Sequence, residues 1–303
     1  MRIIFCNSPL NSKTVDPDYE NEYISAKKNG FNISLINFEA LLDSNFSLAF
    51  KNISNIDSPE RAIFRGWMLK PDKYEILYNQ LKNKNIILIN TLEQYTHCHY
   101  LPDSYELMKN YTPNSVWLNL NNISEIDFSS IMDLLKVFNG KPIIVKDYVK
   151  SQKHKWLEAC YISDSSNEAI VKQIVNNFLQ LQGSELNIGL VFRELIEFES
   201  IGEHPKSKMP LTKEYRLFFL NGELLSIFKY WSEGVYDNED EIDLEKFTQI
   251  AKTIKSSFFT MDIAKSVDGR WYIIELGDGQ CAGLPDINDS DDFYTNLSNK
   301  NIL

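Results

Sequence analysis

The sequence predicts a mixed α/β protein whose C-terminal half is of the α+β type. In the first third of the chain, short apolar runs alternate with helical patterns, an order typical of α/β units with a parallel sheet. In the last third, two pairs of alternating runs each flank a strong two-residue turn signal, Asn221-Gly222 and Asp268-Gly269. We therefore expect a parallel sheet followed by antiparallel hairpins.

The individual elements follow in chain order from periodicity and turn signals. Strands are expected where apolar runs are short, over residues 2–6, 31–36, 62–64, 86–89, 143–146, 190–196, 215–220, 223–230, 258–265 and 270–276. Helices are expected over residues 18–28, 72–82, 92–111, 168–181 and 243–256. The acidic run 237–243 is expected to be a solvated loop or a helix start.

Composition restricts the class of protein. The chain has 303 residues, 43% of them hydrophobic, which allows a sizeable core and one elaborated domain or two domains. No apolar run reaches the roughly 18 residues of a membrane span, and a net charge of −11 argues against nucleic-acid partners. Four cysteines without a CxxC pattern are typical of reduced thiols, so we expect a cytoplasmic protein without membrane or nucleic-acid partners.

Two carboxylates in the last predicted hairpin suggest a metal site. If the Asp-Gly pair forms a two-residue loop, the numbers of paired residues add up to 537, and Asp262 stands directly opposite Glu275 on one face. Like charges in that position repel each other, so a cation between them is favoured, and oxygen ligands alone suit Mg²⁺. The alternative is two solvated charges on an exposed face. A bulge at the turn would change the register.

The preceding predicted hairpin carries positive charge. With a two-residue loop, Glu214 falls opposite Lys229 and Arg216 falls opposite Ile227, so that Glu214, Arg216 and Lys229 share one face. An arginine fork and a lysine point charge on one face suit phosphate groups. The alternative is a surface ion pair, which contributes under about 1 kcal/mol. A basic hairpin followed by an acidic one favours a nucleotide–metal site.

Three further segments carry candidate binding residues. Arg65 follows the third predicted strand, where loops of an open α/β sheet face the ligand crevice, so it either meets an anionic substrate or ties two domains together. Lys146 ends an apolar strand and could reach an ATP phosphate, with Lys150 or Lys155 as alternatives. The glycine-rich run 277–283 directly follows the second carboxylate and permits close backbone approach to a ligand.

The order of these segments resembles the ATP-grasp superfamily over most of the chain. The most specific part is the run Met-Asp-Ile-Ala at residues 261–264, followed by Trp-Tyr-Ile-Ile-Glu-Leu at 271–276. The run Arg-Gly-Trp-Met at 65–68, with Gly-Gln at 279–280 and Gly-Leu-Pro at 283–285, resembles the clade named for one arginine and two lysines.

This resemblance implies a division into domains. Residues 1–111 would form a Rossmann-like pre-ATP-grasp domain with a helical connector, and residues 112–303 an ATP-grasp domain of two antiparallel α+β subdomains. The small subdomain would cover residues 112–187, and the hinge and catalytic subdomain residues 188–303. In this family, ATP lies between two antiparallel sheets.

The resemblance also implies which residues bind the phosphates and the metal. Lys146 would bind a phosphate of ATP. Arg216 and Lys229 would hold phosphates and an oxygen of an acyl phosphate, and they are the predicted catalytic residues. Asp262 and Glu275 would hold one or two Mg²⁺ ions.

By the same resemblance, the hinge segment would bind the nucleoside. The main chain of Glu194 and Ile196 would contact adenine, with Leu195 between them as part of the same contact. The ribose would be bound by Glu199, with Glu197 as the alternative.

One position departs from the family pattern. The usual motif is Glu-x-Asn, and Gly277 stands in the Asn position. Since glycine has no side chain to offer a metal, Asp278, the next residue, is assigned as the third metal ligand. Arg65 and Gln280 are assigned to the substrate.

The function that the resemblance implies is an ATP- and Mg²⁺-dependent carboxylate–amine ligase of the peptide-bond-forming type, which works through an acyl phosphate. Its expected partners are small-molecule or peptide carboxylates and amines. Two alternatives stay open: phosphoryl transfer to a hydroxyl on the same scaffold, and a nucleotide-binding module without turnover, suggested by the missing Asn.

Overall fold

The computed structural model describes residues 1–120, 126–203, 205, 210–236 and 242–300, so most of the acidic run 237–243 lies outside the described residues. The chain packs into two compact units. Unit 1 comprises Met1–Cys98, Ser200–Ala264 and Glu275–Leu303, and unit 2 comprises His99–Glu199 and Lys265–Ile274. These units are defined by packing, whereas the boundary predicted between residues 111 and 112 separates two domains of the family. That boundary therefore stays a prediction.

Unit 1 begins with a parallel sheet. Its strands are β1 (Arg2–Ser8), β2 (Asn11–Val15), β3 (Asn32–Ile36), β4 (Glu60–Arg65) and β5 (Ile86–Leu88), and its helices are α1 (Glu20–Lys28), α2 (Phe38–Leu42), α3 (Phe46–Ala49), α4 (Pro71–Lys82) and α5 (Leu92–His99). The parallel strands lie in the order β3, β1, β4, β5, and β2 pairs antiparallel with the end of β1. The predicted parallel sheet is confirmed. The polar strand β2 has no apolar alternation and was not predicted.

Unit 2 contains an antiparallel sheet covered by helices. Its elements are α6 (Leu101–Met108), β6 (Ser115–Asn119), α7 (Phe128–Leu135), β7 (Ile143–Asp147), α8 (Trp156–Ala159), β8 (Tyr161–Ile162), α9 (Glu168–Gln182) and β9 (Gly189–Glu194). The strand order is β6, β9, β7, β8. Helix α9 begins after Asn167, whose side chain accepts hydrogen bonds from the first turn, and its apolar face packs on the sheet.

The remaining elements belong mainly to unit 1. They are β10 (Ser200–Glu203), β11 (Pro210–Thr212), β12 (Glu214–Leu220), β13 (Glu223–Lys229), α10 (Leu244–Ala251), β14 (Phe258–Lys265), β15 (Trp271–Asp278) and α11 (Ser290–Asn299). Strands β13, β12, β14 and β15 form one antiparallel sheet in that order, and β10 pairs with β11. Lys265 and the first half of β15 pack with unit 2.

A single aromatic core joins the parallel sheet of unit 1 to its antiparallel sheet. Phe5 from β1, Phe218 from β12, Phe258 from β14 and Phe293 from α11 are all fully buried in one cluster. The rings of Phe218 and Phe293 lie 5.0 Å apart in an edge-to-face arrangement. The two sheets of unit 1 are therefore held together by apolar packing.

The hairpin of β12 and β13 has the predicted loop but a different register beyond it. Leu220 pairs with Glu223, as expected for the Asn-Gly loop, but the register shifts by one residue after the next pair. Arg216 consequently lies opposite Phe228, and Lys229 lies opposite Tyr215. The predicted pairs with Ile227 and Glu214 are wrong because of this bulge. Arg216 and Lys229 project from opposite faces of the sheet, since adjacent residues alternate.

The hairpin of β14 and β15 has a three-residue loop instead of the predicted two. The backbone N–H of Ser266 donates to the carbonyl of Arg270 at 2.8 Å, and the N–H of Gly269 donates to the carbonyl of Ser266 at 2.8 Å. Gly269 has φ +83°, the left-handed conformation of a glycine bulge. At the far end of the hairpin, the backbone N–H of Gly279 donates to the carbonyl of Phe258, and these two numbers add up to the predicted 537. Next to the loop, the numbers of Ser266 and Arg270 add up to 536. The pairing of the two strands therefore shifts by one residue between the loop and the far end.

No helix in the described ranges is long and apolar enough to cross a membrane. All four cysteines are free thiols, and three of them are buried. The cytoplasmic location stays a prediction.

Gly189 fixes the distance between β9 and β6, and this generates a stability prediction. A Cβ at this position would overlap the carbonyl oxygen of Leu118, a backbone atom that cannot move without breaking the β6–β9 pairing. Gly189→Ala should lower the free energy of unfolding by about 3 kcal/mol. Urea denaturation measures this. Gly283→Ala, which meets no atom within 4 Å, is the control and should change stability by under about 1 kcal/mol. Equal stabilities for the two variants would contradict the packing described here.

Candidate active site

A buried ion pair occupies the middle of the antiparallel sheet of unit 1. Arg216 on β12 and Asp262 on β14 are directly opposite each other. The guanidinium donates from Nε to Oδ1 at 2.8 Å and from Nη2 to Oδ2 at 2.7 Å, a bidentate geometry. The two side chains are 15% and 3% exposed. The pair therefore differs from the surface ion pair considered as the alternative.

Two further groups hold the guanidinium of Arg216. Its Nη1 donates to the carbonyl of Gly283 at 2.9 Å, and its Cζ lies 4.8 Å from the centre of the Tyr230 ring. Burial on its own would lower the pKa of Arg216, but the charge and hydrogen bonds of Asp262 more than offset it and raise the pKa. Burial raises the pKa of the Tyr230 hydroxyl, because it disfavours the charged form. Arg216 is thus a permanently charged, firmly oriented group.

Glu275 lies on the same face of the sheet as Asp262. A Cβ on Gly277, two residues after Glu275, would come within 2.8 Å of Oγ1 of Thr260, two residues before Asp262. Residues two apart on a strand share a face. The charge of Glu275 also contributes to the raised pKa of Arg216. One face therefore carries a guanidinium and two carboxylates.

These two carboxylates fit Mg²⁺, which proteins often bind through one or two carboxylates together with phosphates of a substrate. Within the described part of the chain, no three His, Cys, Asp or Glu side chains are grouped so that they could hold a metal. Two carboxylates together with phosphate oxygens of a nucleotide are a donor set that suits Mg²⁺. The roles of Asp262 and Glu275 stay predictions.

Asp278 and Gln280 lie inside unit 1 and are bound to protein groups. Asp278 is fully buried. Because adjacent residues on a strand point to opposite faces, its side chain projects from the face of β15 opposite to the one that carries position 277. It accepts hydrogen bonds from Nδ2 of Asn90 and from the backbone and side chain of Gln280. Burial raises the pKa of Asp278 to about 6. Gln280 also donates to the hydroxyl of Tyr74. The structure does not bring Asp278 together with Asp262 and Glu275.

Arg65 is 1% exposed, and its guanidinium is bound to protein groups. It forms a bidentate pair with Glu22 at 2.8 Å for both bonds, and its Nη1 donates to the carbonyls of Gly279 and Ala282. Burial alone would lower the pKa of Arg65, but the charge of Glu22 raises it. These bonds tie β4 to α1 and to the glycine-rich run. The assignment of Arg65 and Gln280 to the substrate stays a prediction.

Two lysines at the ends of β12 and β13 differ in their surroundings. Lys229 is exposed, and its amino group lies 5.2 Å from the centre of the Tyr236 ring. Lys213, immediately before β12, is only 5% exposed, and the sequence analysis did not identify it. The next residue, Glu214, is also buried, and nothing in the local sequence pattern marked either charge as buried.

In unit 2, Lys146 lies in β7 and is 9% exposed. The next residue, Asp147, is fully buried. Its Oδ1 accepts from the backbone N–H groups of Val149 and Lys150, and its Oδ2 accepts from Gln182 and from the backbone and side chain of Asn187. These five bonds fix the loop that follows Lys146.

The predicted hinge residues also lie in unit 2. The backbone N–H of Glu194 donates to Asn114, and that of Leu195 donates to Pro142. The side chain of Glu199 pairs with Lys265 at 3.3 Å. Leu195 is 37% exposed, and Ile196 follows it in an irregular segment after β9. The adenine and ribose roles of Glu194, Leu195, Ile196 and Glu199, and of the alternative Glu197, stay predictions.

A groove of about 520 Å³ lies elsewhere in unit 1, between the start of α5, the Asn221-Gly222 turn and the end of α10. None of the predicted site residues lines it. The charged face defined by Arg216, Asp262 and Glu275 is the better candidate, because it combines a guanidinium suited to phosphate with two carboxylates suited to a metal.

Residues 138–297, more than half of the chain, match the family model described as ATP-grasp domain, R2K clade family 3. The chain therefore belongs to this ATP-grasp family. The matched region includes Lys146, the hinge segment and the charged face of the antiparallel sheet. No curated protein matches the sequence.

Solved structures show the same fold over nearly the whole chain. The RimK domain protein ATP-grasp from Sphaerobacter thermophilus is 10% identical, with a TM-score of 0.61, and the match covers 98% of this chain and 97% of that one. The D-cycloserine synthetase DcsG is 12% identical, with a TM-score of 0.58 and coverage of 98% and 99%. D-alanine–D-alanine ligase from Bacillus anthracis is 15% identical, with a TM-score of 0.55 and coverage of 98% and 94%. The predicted ATP-grasp fold is confirmed.

The buried Arg65–Glu22 pair generates a prediction about stability. Because each charge would be left buried without its partner, Glu22→Gln and Arg65→Met should each lower the free energy of unfolding by about 3–5 kcal/mol. The double variant should lose less than the sum of the two, which a urea-denaturation double-mutant cycle measures.

Lys28→Met is the matched control, since Lys28 pairs with Asp291 on the surface, where the side chains are 67% and 56% exposed. It should change stability by under about 1 kcal/mol. If Arg65→Met is as stable as the unmodified protein, Arg65 has no structural role.

Proposed function

We propose that the protein is an ATP- and Mg²⁺-dependent ligase that joins a carboxylate to an amine through an acyl phosphate. The observation that carries the proposal is the face formed by Arg216, Asp262 and Glu275, in a chain of the ATP-grasp family. A guanidinium beside two carboxylates provides, in one place, groups for a phosphate and for its metal. The substrates we propose are small-molecule or peptide carboxylates and amines.

The proposed reaction has two steps. A carboxylate oxygen of the first substrate attacks the γ-phosphorus of ATP, and ADP leaves. The amine then attacks the acyl carbon, phosphate leaves, and the amine loses a proton, so that an amide forms. No protein nucleophile takes part.

The side chains of unit 1 would act on the phosphate groups. Mg²⁺, held by Asp262 and Glu275, would supply neutralisation of the phosphate charge. Arg216 has a planar fork that matches phosphate oxygens, and it would stabilise the negative charge that develops during transfer. The contacts of Arg216 with Gly283 and Tyr230 hold the fork in place before the substrate arrives.

The residues of unit 2 would bind the rest of the nucleotide. Lys146 would contact a phosphate, and the bonds to Asp147 support it by fixing the following loop. The main chain of the segment from Glu194 to Ile196 would contact adenine. Glu199 would bind the ribose hydroxyls, exchanging its present partner Lys265 for them.

A second candidate is a nucleotide-binding module without turnover. The specific observation in its favour is the missing third ligand. Gly277 offers the metal no side chain, and Asp278 projects from the other face of β15, as described above. With two carboxylates instead of three donors, metal positioning would depend more strongly on the nucleotide itself.

The ligase proposal is tested by measuring ADP release with a panel of amino acids and peptides, with mass spectrometry of the products. Asp262→Asn and Glu275→Gln should each lower turnover by about a hundredfold or more, because each removes one of the two charges that hold the metal. Glu223→Gln is the control. Glu223 is an exposed carboxylate on β13, paired with Lys300, and its loss should leave turnover unchanged.

The products distinguish the alternatives. ADP together with an amide supports the ligase, and ADP together with a phosphorylated hydroxyl identifies a phosphotransferase. ATP binding without ADP release across the panel identifies a binding module. Unchanged turnover in both carboxylate variants would remove the metal role from this face.

A further inference from the structure

Arg216 and Asp262 are assigned to different ligands, yet in this structure they bind each other. The guanidinium is assigned to a phosphate and the carboxylate to a metal. Both bonds of the bidentate pair are at most 2.8 Å long, and Asp262 is 2% exposed. The groups that the two ligands would use are thus occupied by one another.

We propose that this pair closes the site in the absence of ligands, so that metal and nucleotide bind only together. Arg216 is a built-in cation that a metal has to replace at Asp262. Asp262 is a built-in anion that a phosphate has to replace at Arg216. The inference rests on the proposed function, because that function assigns the two ligands.

Charge balance makes each single exchange unfavourable. A metal alone would take Asp262 and leave the guanidinium beside a second cation, without its partner. A phosphate alone would take Arg216 and leave a buried carboxylate beside a second anion. Removing one partner of a buried pair is strongly destabilising, whereas replacing both at once keeps every charge compensated.

The surroundings of Arg216 make the exchange possible. Gly283 and the Tyr230 ring hold the guanidinium independently of Asp262, so it keeps its orientation when the carboxylate turns to a metal. Glu275 lies on the same face and adds a second carboxylate there. The pair is therefore a two-state element that both ligands act on in the same direction.

The first test measures Mn²⁺ binding without nucleotide, by electron paramagnetic resonance of the free ion. Removing the built-in cation should open the metal position, so Arg216→Met should bind Mn²⁺ at least ten times more tightly than the unmodified protein. Arg216→Gln, which is neutral but keeps a hydrogen-bond donor, is a second variant in case Arg216→Met does not fold. Lys300→Met is the control, because it removes a surface cation that pairs with Glu223, and it should leave Mn²⁺ affinity unchanged.

The second test measures ATP binding in the presence of EDTA, by isothermal titration calorimetry. Asp262→Asn should bind metal-free ATP at least several times more tightly, because the guanidinium is released. Glu275→Gln removes the same charge from the same face but leaves both bonds between Asp262 and Arg216 in place, so its gain should be clearly smaller. Circular dichroism confirms that each variant is folded.

The two tests separate this inference from the proposed function. Gains in both variants support the closed pair. If the unmodified protein binds ATP with Mn²⁺ but neither variant gains affinity for the single ligand, the pair does not close the site and the inference fails. If the unmodified protein does not bind ATP with Mn²⁺ at all, the proposed function itself fails.

Discussion

The buried carboxylate of Asp262 is the constraint on which the candidate site depends. A carboxylate side chain that is 3% exposed requires a cation and hydrogen bonds close by, and Arg216 supplies both from the neighbouring strand. That requirement fixes the rotamer of Arg216 and places its guanidinium between Asp262 and the Tyr230 ring. It also brings Gly283, the end of the glycine-rich run, to the same point.

The glycine-rich run is held by two arginines. Arg65 binds the carbonyls of Gly279 and Ala282, and Arg216 binds the carbonyl of Gly283. Arg65 is in turn held by Glu22 on α1, so the charged face is linked through backbone carbonyls to the parallel sheet. Since both guanidinium groups are charged at any working pH, this connection is permanent. Arg65 supports the site from within unit 1 even though its head is bound to protein groups.

Local patterns in the sequence predicted the fold well. Alternating apolar runs indicated the parallel sheet, and Asn221-Gly222 gave the correct loop of the first hairpin. The pairing beyond that loop was wrong because one extra residue in β13 shifts the register, and no period or composition marks such a bulge. The second loop was wrong for a similar reason. Asp-Gly suits both a two-residue turn and a three-residue loop that ends in a glycine bulge.

Contacts between distant residues were not predictable from local patterns. Arg65 meets Glu22 across 43 residues, and Asn90 meets Asp278 across 188. Both partners in each case belong to charged or polar residue types that are mostly exposed in proteins, and only the closed fold buries them together. The sequence analysis thus placed Arg216, Asp262 and Glu275 in one predicted site but did not predict the direct bond between the first two.

A crystal structure of the protein with Mg²⁺ and a non-hydrolysable ATP analogue is the most direct test of the proposed site. We predict that the carboxylates of Asp262 and Glu275 bind the metal and that the guanidinium of Arg216 binds a phosphate, with the Arg216–Asp262 bonds broken. A bound nucleotide with those bonds still in place, and the metal held by other groups, would contradict this prediction.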